Sequence, residues 1–421
     1  MRIYDLIIIG AGASGCMAAI QAARRGASVL LLEKNEKIGK KIYITGKGRC
    51  NLTNNSDIQT HLTNIINGSK FMNSAIRRFT PSDTIELFEQ YVPLKTEHGN
   101  RVFPVSDKSS DIISAINKML INAGVEVCLN VQVENIDKDN NIFNILCTKG
   151  AKYQSYSVLI ATGGKSYSAT GSTGDGYKFA KSFGHNIVDI KPALVPILVK
   201  DNVKSIEGLS LKFVEASVEI NGKVVEKEFG EMLFTDNGVS GPIILTLSSK
   251  INRYELKNAK LYIDFKPKLS EEMLDVKFLR EFQEFAKKNL STYLKTLLPS
   301  SLVPYFMSKF DFTDKKVSEM NKIDRNKLIN GLKKFDLSIN LLDNIEKAII
   351  TSGGVDLKQV SPKTFESKLV EGLYFAGELL DIDALTGGFN LQIAFSTGYI
   401  VGDSVRLRWF FGYVLQYFFR F

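Results

Sequence analysis

The first strand and turn of the chain constrain its fold more than any other feature. Residues 5–15 read DLIIIGAGASG and pass directly into an alanine-rich stretch. An apolar run that breaks into glycines and then into a helical pattern predicts a buried parallel strand followed by a helix. The first glycine of such a turn allows the tight bend, the second lets the backbone approach a pyrophosphate, and the third lets the helix pack on the strand. We expect dinucleotide phosphates to bind at Gly10, Gly12, Ala13, Ser14 and Gly15.

A second predicted strand, residues 27–33 (ASVLLLE), ends on an acid. Glu33 lies 18 residues after Gly15, close to the spacing of about 20 at which a carboxylate reaches the ribose hydroxyls of an adenine dinucleotide. Strand, turn, helix and acid together favour a nucleotide site over a similar unit without a ligand. We therefore expect Glu33 and its neighbour Lys34 to contact the cofactor, and we expect a ribose without a 2′-phosphate.

The stretch that follows is rich in glycine and polar residues. Residues 45–54 read TGKGRCNLTN and come after the carboxyl end of the second strand, the side on which open α/β sheets bind ligands. A solvated basic loop is the alternative, but closely spaced glycines beside an arginine suit close approach of the backbone to an anion. We expect this loop to cover the reactive part of the cofactor. Its candidate cofactor contacts are Gly46, Gly48, Arg49 and Cys50, and its candidate catalytic residues are Arg49, Cys50 and Asn51.

Two later strands and one helix complete the predicted site. Residues 158–164 (VLIATGG) and 372–378 (GLYFAGE) each read as a buried strand that ends in small or polar residues, and residues 386–391 (TGGFNL) begin a long helix. A helix N-terminus stabilises a nearby anion such as the N1/O2 edge of a reduced flavin, although an ordinary helix start is the alternative. The expected cofactor contacts here are Thr162, Gly163, Gly377, Glu378, Gly388, Asn390 and Leu391.

The middle of the chain has a different pattern. Short alternating runs with Asn-Gly turns begin near Lys191, as in antiparallel strands, and a lysine-rich helical pattern follows. The α/β pattern returns near residue 350. We therefore predict an α/β fold with a discontinuous Rossmann-like cofactor domain. The expected boundaries are 1–190 with 351–421 for the cofactor domain, 191–269 with 336–350 for an inserted antiparallel β subdomain, and 270–335 for an inserted basic helical subdomain.

Composition excludes several classes of protein. The chain has 421 residues, and the 44% that are apolar suffice for full-sized cores. Its four cysteines form no C-x-x-C pair and its three histidines form no cluster, so we expect no disulfide framework, no metal site and a reducing, cytoplasmic compartment. No apolar stretch reaches the roughly 20 residues that span a bilayer, and the first strand begins too early for a signal peptide. We expect the aromatic tail from Trp409 to pack on protein rather than lie in a membrane interface.

Positive charge is concentrated in one part of the chain. Lys and Arg outnumber Asp and Glu by 54 to 45, and residues 250–335 hold 19 basic and 11 acidic residues, so +8 of the net +9 lies in that span. A basic domain near a cofactor suits a nucleic-acid substrate, because neutralised phosphates supply most of the sequence-independent affinity. A lysine-rich solvated helical face is an equally good interpretation.

Five segments in combination resemble the BaiN/YhiN-type flavoproteins, also described as aminoacetone-oxidase-like FAD-binding enzymes. The segments are residues 10–15, 45–54, 171–177, 233–242, and 372–378 continued by 386–392. The resemblance covers roughly residues 1–402. It implies FAD held by the first and last segments, in a Rossmann-like domain of the glutathione-reductase type 2 class with β-barrel-like and helical insertions. Lys47 and the long aromatic tail depart from the family pattern.

The resemblance also implies a chemistry. Similar proteins include a ribosomal RNA dihydrouridine synthase and a reductase of conjugated steroid enones, which both add hydride to a C=C bond conjugated to a carbonyl. We expect the same reaction here, with uridine in 23S ribosomal RNA as the leading substrate. A small-molecule reductase or amine oxidase is the alternative, and a flavin-binding module without catalysis is a third interpretation.

The electron donor and the proton donor are further expectations. Only one G-x-G-x-x-G is present, so NAD(P)H is expected to dock directly on the flavin rather than in a second Rossmann domain. Protonation of the second carbon needs an acid. The Cys50 thiol is one candidate, although a packing role suits a buried thiol somewhat better. Asn51 and Arg49 are placed to orient the substrate.

Overall fold

The computed structural model describes residues 2–407. The expectation for the aromatic tail falls outside the described residues. The chain divides into two compact units, of which the second is Pro192–Asn344 and the first contains the described residues on either side of it. The first unit resumes at Ile345, where the sequence predicts residue 351. The finer division of the insertion into a β and a helical subdomain remains our interpretation.

The first unit is built on a seven-stranded sheet with strand order β7-β2-β1-β10-β9-β8, and β19 pairs with β10 beside this path. Strands β7, β2, β1, β10 and β19 are parallel to one another. Strand β9 is antiparallel to β10, and β8 is antiparallel to β9. Both β1 and β2 are almost wholly buried, as parallel strands covered on both faces must be. The carboxyl ends of β1, β10 and β19 therefore meet at one edge of the sheet. The strands of this sheet are β1 Ile3–Ile9, β2 Val29–Leu32, β7 Glu126–Cys128, β8 Val133–Asp139, β9 Ile142–Cys147, β10 Lys152–Ile160 and β19 Leu373–Phe375.

Helices and short strands cover this sheet. The helices are α1 Ala13–Arg24, α2 Lys40–Ile44, α3 Ile58–Asn64, α4 Ser69–Arg78, α5 Pro81–Glu89, α6 Ser109–Asn122, α7 Asp175–Ser182 and α13 Phe389–Ser404. The short strands are β3 Thr53–Asn54, β4 Ile65–Asn67, β5 Leu94–Glu97, β6 Arg101–Pro104, β11 Ile187–Ala193, β18 Ile350–Val355 and β20 Asp383–Ala384.

Helices α1 and α13 pack side by side at very short range. A Cβ added to Gly398 would lie 2.2 Å from the Ser14 carbonyl oxygen, and one added to Gly402 would lie 2.5 Å from that of Ala18. Both contacts join residues 384 positions apart, so the two helices run parallel. The glycines of α13 therefore fix the position of α13 along α1.

The second unit contains a closed barrel of order β12-β15-β14-β13-β16-β17. Its neighbouring strands are antiparallel, and its core is separate from that of the first unit. Four of its helices lie in the chain between β16 and β17. The elements are β12 Ile197–Val199, β13 Ser210–Ile220, β14 Lys223–Phe234, β15 Gly238–Ser240, α8 Pro242–Ile251, β16 Lys260–Asp264, α9 Glu271–Glu284, α10 Leu290–Leu294, α11 Val303–Lys309, α12 Lys322–Lys333 and β17 Phe335–Leu342. The predicted Rossmann-like α/β fold with barrel and helical insertions is confirmed.

Candidate cofactor and active site

The turn between β1 and α1 forms an open anion site. Gly12 is the N-cap of α1, no described side chain caps that end, and the first turn carries no acid. A Cβ added to Gly12 would meet no described atom within 4 Å, whereas one added to Gly15 would lie 1.9 Å from the Gly10 carbonyl oxygen. Gly15 thus allows close packing and Gly12 leaves space in front of the helix. The partial positive charge of the α1 N-terminus faces that space.

Glu33 is fixed beside this turn. Its Oε2 accepts a hydrogen bond from Ala11 N at 2.8 Å, and its Oε1 accepts from Asn35 N at 2.9 Å and from Asn35 Nδ2 at 2.6 Å. A carboxylate has about four acceptor positions, so capacity remains for a ribose hydroxyl. Its role as a ribose ligand stays a prediction that this placement suits.

Lys34, the other residue predicted beside the ribose, is engaged elsewhere. Its Nζ donates to Asp175 Oδ2 at 2.8 Å and to Thr173 Oγ1 at 2.6 Å. Asp175 therefore pairs with Lys34, and helix α7 begins after Gly174 without a side-chain cap from the described residues. A contact between the Lys34 side chain and a cofactor requires that this ion pair break.

The end of strand β10 carries two predicted contacts, Thr162 and Gly163. Gly163 has φ +75°, and a Cβ there would lie 2.9 Å from Ser172 Oγ. Thr162 Oγ1 is buried without a hydrogen-bond partner among the described residues, and it lies 2.2 Å from the position of a Cβ on Gly176. The Thr162 hydroxyl thus faces helix α7. Only its backbone is placed for the predicted cofactor contact.

The N-terminus of α13 is another helix end without a side-chain cap. Gly388 is its N-cap at φ +100°, with no acid in the first turn and no cap from a described side chain. Helices α1 and α13 run parallel, and Gly398 of α13 packs against Ser14 of α1. The first residue of α13 therefore lies eight residues beyond the first residue of α1 along the shared direction of the helices, about 12 Å at the usual rise per residue. Two helix N-termini that face the same way at this separation can hold the two ends of one extended ligand.

The loop predicted to cover the cofactor contacts the start of α13. In the amide orientation that satisfies both groups, Asn51 Oδ1 accepts from Gly388 N at 3.0 Å and Nδ2 donates to Thr53 O at 3.1 Å. Asn54 Nδ2 donates to Gly387 O at 3.0 Å. Asn51 and Asn54 thus orient the helix N-terminus from one side. The backbone of the loop is left-handed at Gly46, Lys47, Gly48 and Cys50.

The predicted catalytic groups of this loop are not free. Cys50 is fully buried, and burial raises the pKa of its thiol to about 12. The Arg49 guanidinium pairs with Glu97 and Asp107 and lies 4.1 Å from the centre of the Phe103 ring. The prediction that Arg49, Cys50 and Asn51 face substrate together is therefore not supported by this geometry. The loop uses all three to fix its own position.

We predict that Cys50→Ala keeps substrate turnover within about twofold of wild type, because loss of a general acid costs about 100-fold or more. The thiol is neutral and sealed at neutral pH, so it should also resist iodoacetamide at pH 8 in the native protein. Half-buried Cys128 is the matched control, which should label faster. A 100-fold loss of turnover in Cys50→Ala would show that the thiol takes part in the reaction.

Asn390 and Leu391 also have structural partners. Asn390 Oδ1 accepts from Ala384 N at 3.0 Å, and its Nδ2 donates to Ala384 O at 2.8 Å. Leu391 packs against the core of the first unit. Their side chains anchor the first turn of α13, so only their backbone is available to a ligand at this end.

Several residues position the site through contacts that the sequence did not predict. Thr53 Oγ1 and Thr84 Oγ1 donate to Gln392 Oε1 at 2.6 Å and 2.9 Å in a fully buried group. This group ties α13 to β3 and α5. Glu378, predicted from its place after Gly377, pairs with Lys41 at 2.5 Å. Thr53 and Asn54 lie inside the TGKGRCNLTN segment and Gln392 lies inside residues 386–392, so the sequence indicated their segments but not their contacts.

These observations test whether FAD fits. Gly12 leaves an unfilled space at one helix N-terminus, Glu33 lies beside it, and a second uncapped N-terminus lies about 12 Å further out. The pyrophosphate, ribose and flavin ring of an extended FAD match these three features in order. The fold and the site thus define an FAD-dependent oxidoreductase of the Rossmann type.

The comparisons with known proteins agree. A family model described as the HI0933-like protein Rossmann domain matches residues 4–404, and the chain belongs to this family. The chain is 31% identical over 408 residues to the 3-dehydro-bile acid delta(4,6)-reductase of Clostridium scindens, covering 95% of this chain and 98% of that protein. It is also 31% identical over 405 residues to the ribosomal RNA dihydrouridine synthase of Haemophilus influenzae, with coverage of 95% and 98%. The resemblance found in the sequence is confirmed.

A solved structure shares the fold. The 3-ketosteroid-delta4-(5alpha)-dehydrogenase of Rhodococcus jostii RHA1 superposes with a TM-score of 0.51 at 15% identity, over 96% of this chain and 97% of that one.

Within residues 2–407, no helix is long and apolar enough to cross a membrane, and no group of three His, Cys, Asp or Glu residues could hold a metal ion.

Proposed function

We propose that the protein is an FAD-dependent reductase that uses NAD(P)H to reduce a C=C bond conjugated to a carbonyl. When bound, FAD supplies hydride transfer at the N5 atom of its ring. The observation that carries the proposal is the uncapped N-terminus of α13, about 12 Å beyond the pyrophosphate turn. The relatives that cover nearly the whole chain are named as reductases or synthases whose substrates contain such a bond.

The residues of the chain support this reaction in defined ways. The first amides of α13 would stabilise negative charge at the pyrimidine edge of a bound flavin. Asn51 and Asn54 hold that helix start in place through Gly388 and Gly387. Since Cys50 is sealed, the proton for the second carbon comes from another group or from water.

The electron donor is tested by anaerobic mixing of the FAD-loaded protein with NADH and, separately, with NADPH. Only one dinucleotide turn is present in the sequence, so the nicotinamide docks on the flavin directly. Bleaching of the flavin band near about 450 nm by either nucleotide supports the proposal. Bleaching by dithionite alone would exclude NAD(P)H as the donor.

Uridine in 23S ribosomal RNA is the leading substrate. Residues 250–335 of the second unit carry +8 of the net +9 charge. The exposed lysines of this span that form no ion pair in the described part of the chain include Lys287, Lys295, Lys316 and Lys322. Such side chains neutralise phosphates flanking a target base, which must leave its stack to reach the ring. This reaction would take place in the cytoplasm, where ribosomes are made.

The substrate is tested by deleting the gene and mapping dihydrouridine in 23S RNA by mass spectrometry. Loss of one dihydrouridine, restored by the wild-type gene, supports the RNA substrate. A small enone is the second candidate, favoured by the relative named as a bile acid reductase. If dihydrouridine is unchanged and the purified protein reduces 3-keto-4-ene steroids, the small-molecule function replaces the RNA function.

A further inference from the structure

One ion pair of the first unit has no part in the chemistry described so far. Lys41 Nζ lies 2.5 Å from Glu378 Oε2 and donates to Ser166 Oγ at 2.7 Å. The other carboxylate oxygen of Glu378 accepts from Thr351 N at 2.8 Å and from Ser166 Oγ at 2.9 Å. The Lys41 and Glu378 side chains are 22% and 20% exposed. Four separate segments thus hold one cation and one anion in a fixed, half-buried pair.

Both partners of this pair belong to segments that contact the dinucleotide turn or the start of α1. Helix α2 carries Lys41 and directly follows Gly39, whose N donates to Ala11 O in the dinucleotide turn at 2.9 Å. The same segment continues to Asn51 beside Gly388. Glu378 follows Gly377, and a Cβ on Gly377 would lie 2.6 Å from Ser14 Oγ. An extended FAD that spans the roughly 12 Å between the two helix N-termini would therefore pass near both segments.

We propose that the Lys41–Glu378 pair sets the reduction potential of the bound flavin. Reduction of the ring adds negative charge, and a charge within about 10 Å in a half-buried site changes an equilibrium by about tenfold. The charge of Lys41 stabilises the reduced flavin and the charge of Glu378 destabilises it. The effects of the two charges on the reduction potential therefore nearly cancel while both are present. The inference rests on FAD binding alone and is independent of the electron donor and the substrate.

The two single variants are expected to shift the potential in opposite directions. Lys41→Met leaves the Glu378 carboxylate unpaired and makes the potential more negative. Glu378→Gln keeps the shape of the side chain, leaves the Lys41 ammonium unpaired and makes the potential more positive. A tenfold change in relative affinity for the two redox states is about 30 mV for a two-electron couple. The double variant should return close to the wild-type value.

The test is a reductive titration of the FAD-loaded full chain against a reference dye, with no nicotinamide and no substrate. Lys40→Met is the matched control, because Lys40 pairs at 3.0 Å with Glu36, which is 59% exposed. Its potential should equal that of wild type. If Lys41→Met does not retain FAD, Lys41→Arg, which keeps the charge, and Glu378→Gln decide the matter. Shifts of the same sign in Lys41→Met and Glu378→Gln, or no shift in Glu378→Gln, overturn the proposal.

Discussion

The Gly12→Ala protein is expected to fold as stably as wild type and to bind FAD at least about 100-fold more weakly, a loss of about 2.7 kcal/mol. Gly12 has φ −80° and ψ −170°, which alanine adopts without strain. A Cβ at this position meets no atom of residues 2–407 within 4 Å, so the protein itself accepts the methyl group. That methyl group occupies the space in front of the α1 N-terminus. It therefore displaces the pyrophosphate and leaves the apoprotein unchanged.

Gly15→Ala is the matched control, with the opposite pattern. Its Cβ would lie 1.9 Å from the Gly10 carbonyl oxygen, which forces α1 away from the turn. Overpacking of this kind costs about 3 kcal/mol of unfolding free energy. Fluorescence titration of FAD gives the affinity of each protein, and denaturant unfolding of the apoprotein gives its stability. If Gly12→Ala binds FAD as tightly as wild type, the cofactor does not lie on this turn.

Gly388→Ala is expected to destabilise the protein by about 3 kcal/mol and to weaken FAD binding as well. Gly388 has φ +100°, where an L side chain is strained, and its Cβ would lie 2.4 Å from the Thr53 carbonyl carbon. The substitution therefore separates the start of α13 from the segment that Asn51 and Thr53 belong to. On the proposed placement of FAD, the α13 N-terminus would then no longer face the pyrimidine edge of the flavin.

The Gly184→Ala variant distinguishes the effect of backbone strain from the effect of steric overlap. Gly184 has φ +84°, and a Cβ there meets nothing within 4 Å among the described atoms. This variant should lose about 1–2 kcal/mol through strain alone and keep the FAD affinity of wild type. The measurements are again denaturant unfolding and FAD titration. Equal stability losses in Gly184→Ala and Gly388→Ala, with FAD affinity unchanged in both, would show that the contact with Thr53 is unimportant.

The sequence predicted the parts of the site that depend on local pattern. A strand, a turn and a helix follow directly from the spacing of apolar residues and glycines in residues 5–24. The same holds for Glu33 at the end of β2, which the structure places against Ala11 N. The backbone of residues 45–50 bends as its glycines predict, with four left-handed residues. These features need only neighbours in the chain.

Side-chain availability could not be predicted in this way. The partners of Arg49 are 48 and 58 residues further along the chain, and no local pattern shows that Glu97 and Asp107 return to it. The sequence left Cys50 as either a proton donor or a packed thiol, and only the packing around it shows that the thiol is sealed. Likewise, nothing in the sequence around Lys34 shows that it pairs with Asp175, which lies 141 residues further along the chain.

The sequence by itself determined the class of this protein. Its apolar spacing, turn glycines and terminal acids specify a nucleotide-binding α/β fold, because they act over a few residues where periodicity and backbone freedom decide the outcome. Only the tertiary structure decided which charges remain free. Lys41 and Glu378 are 337 residues apart in the chain. They meet because Gly39, just before α2, bonds to Ala11 and Gly377, just before Glu378, packs against Ser14. Pairing of charges depends on distance in space, which the order of residues does not contain.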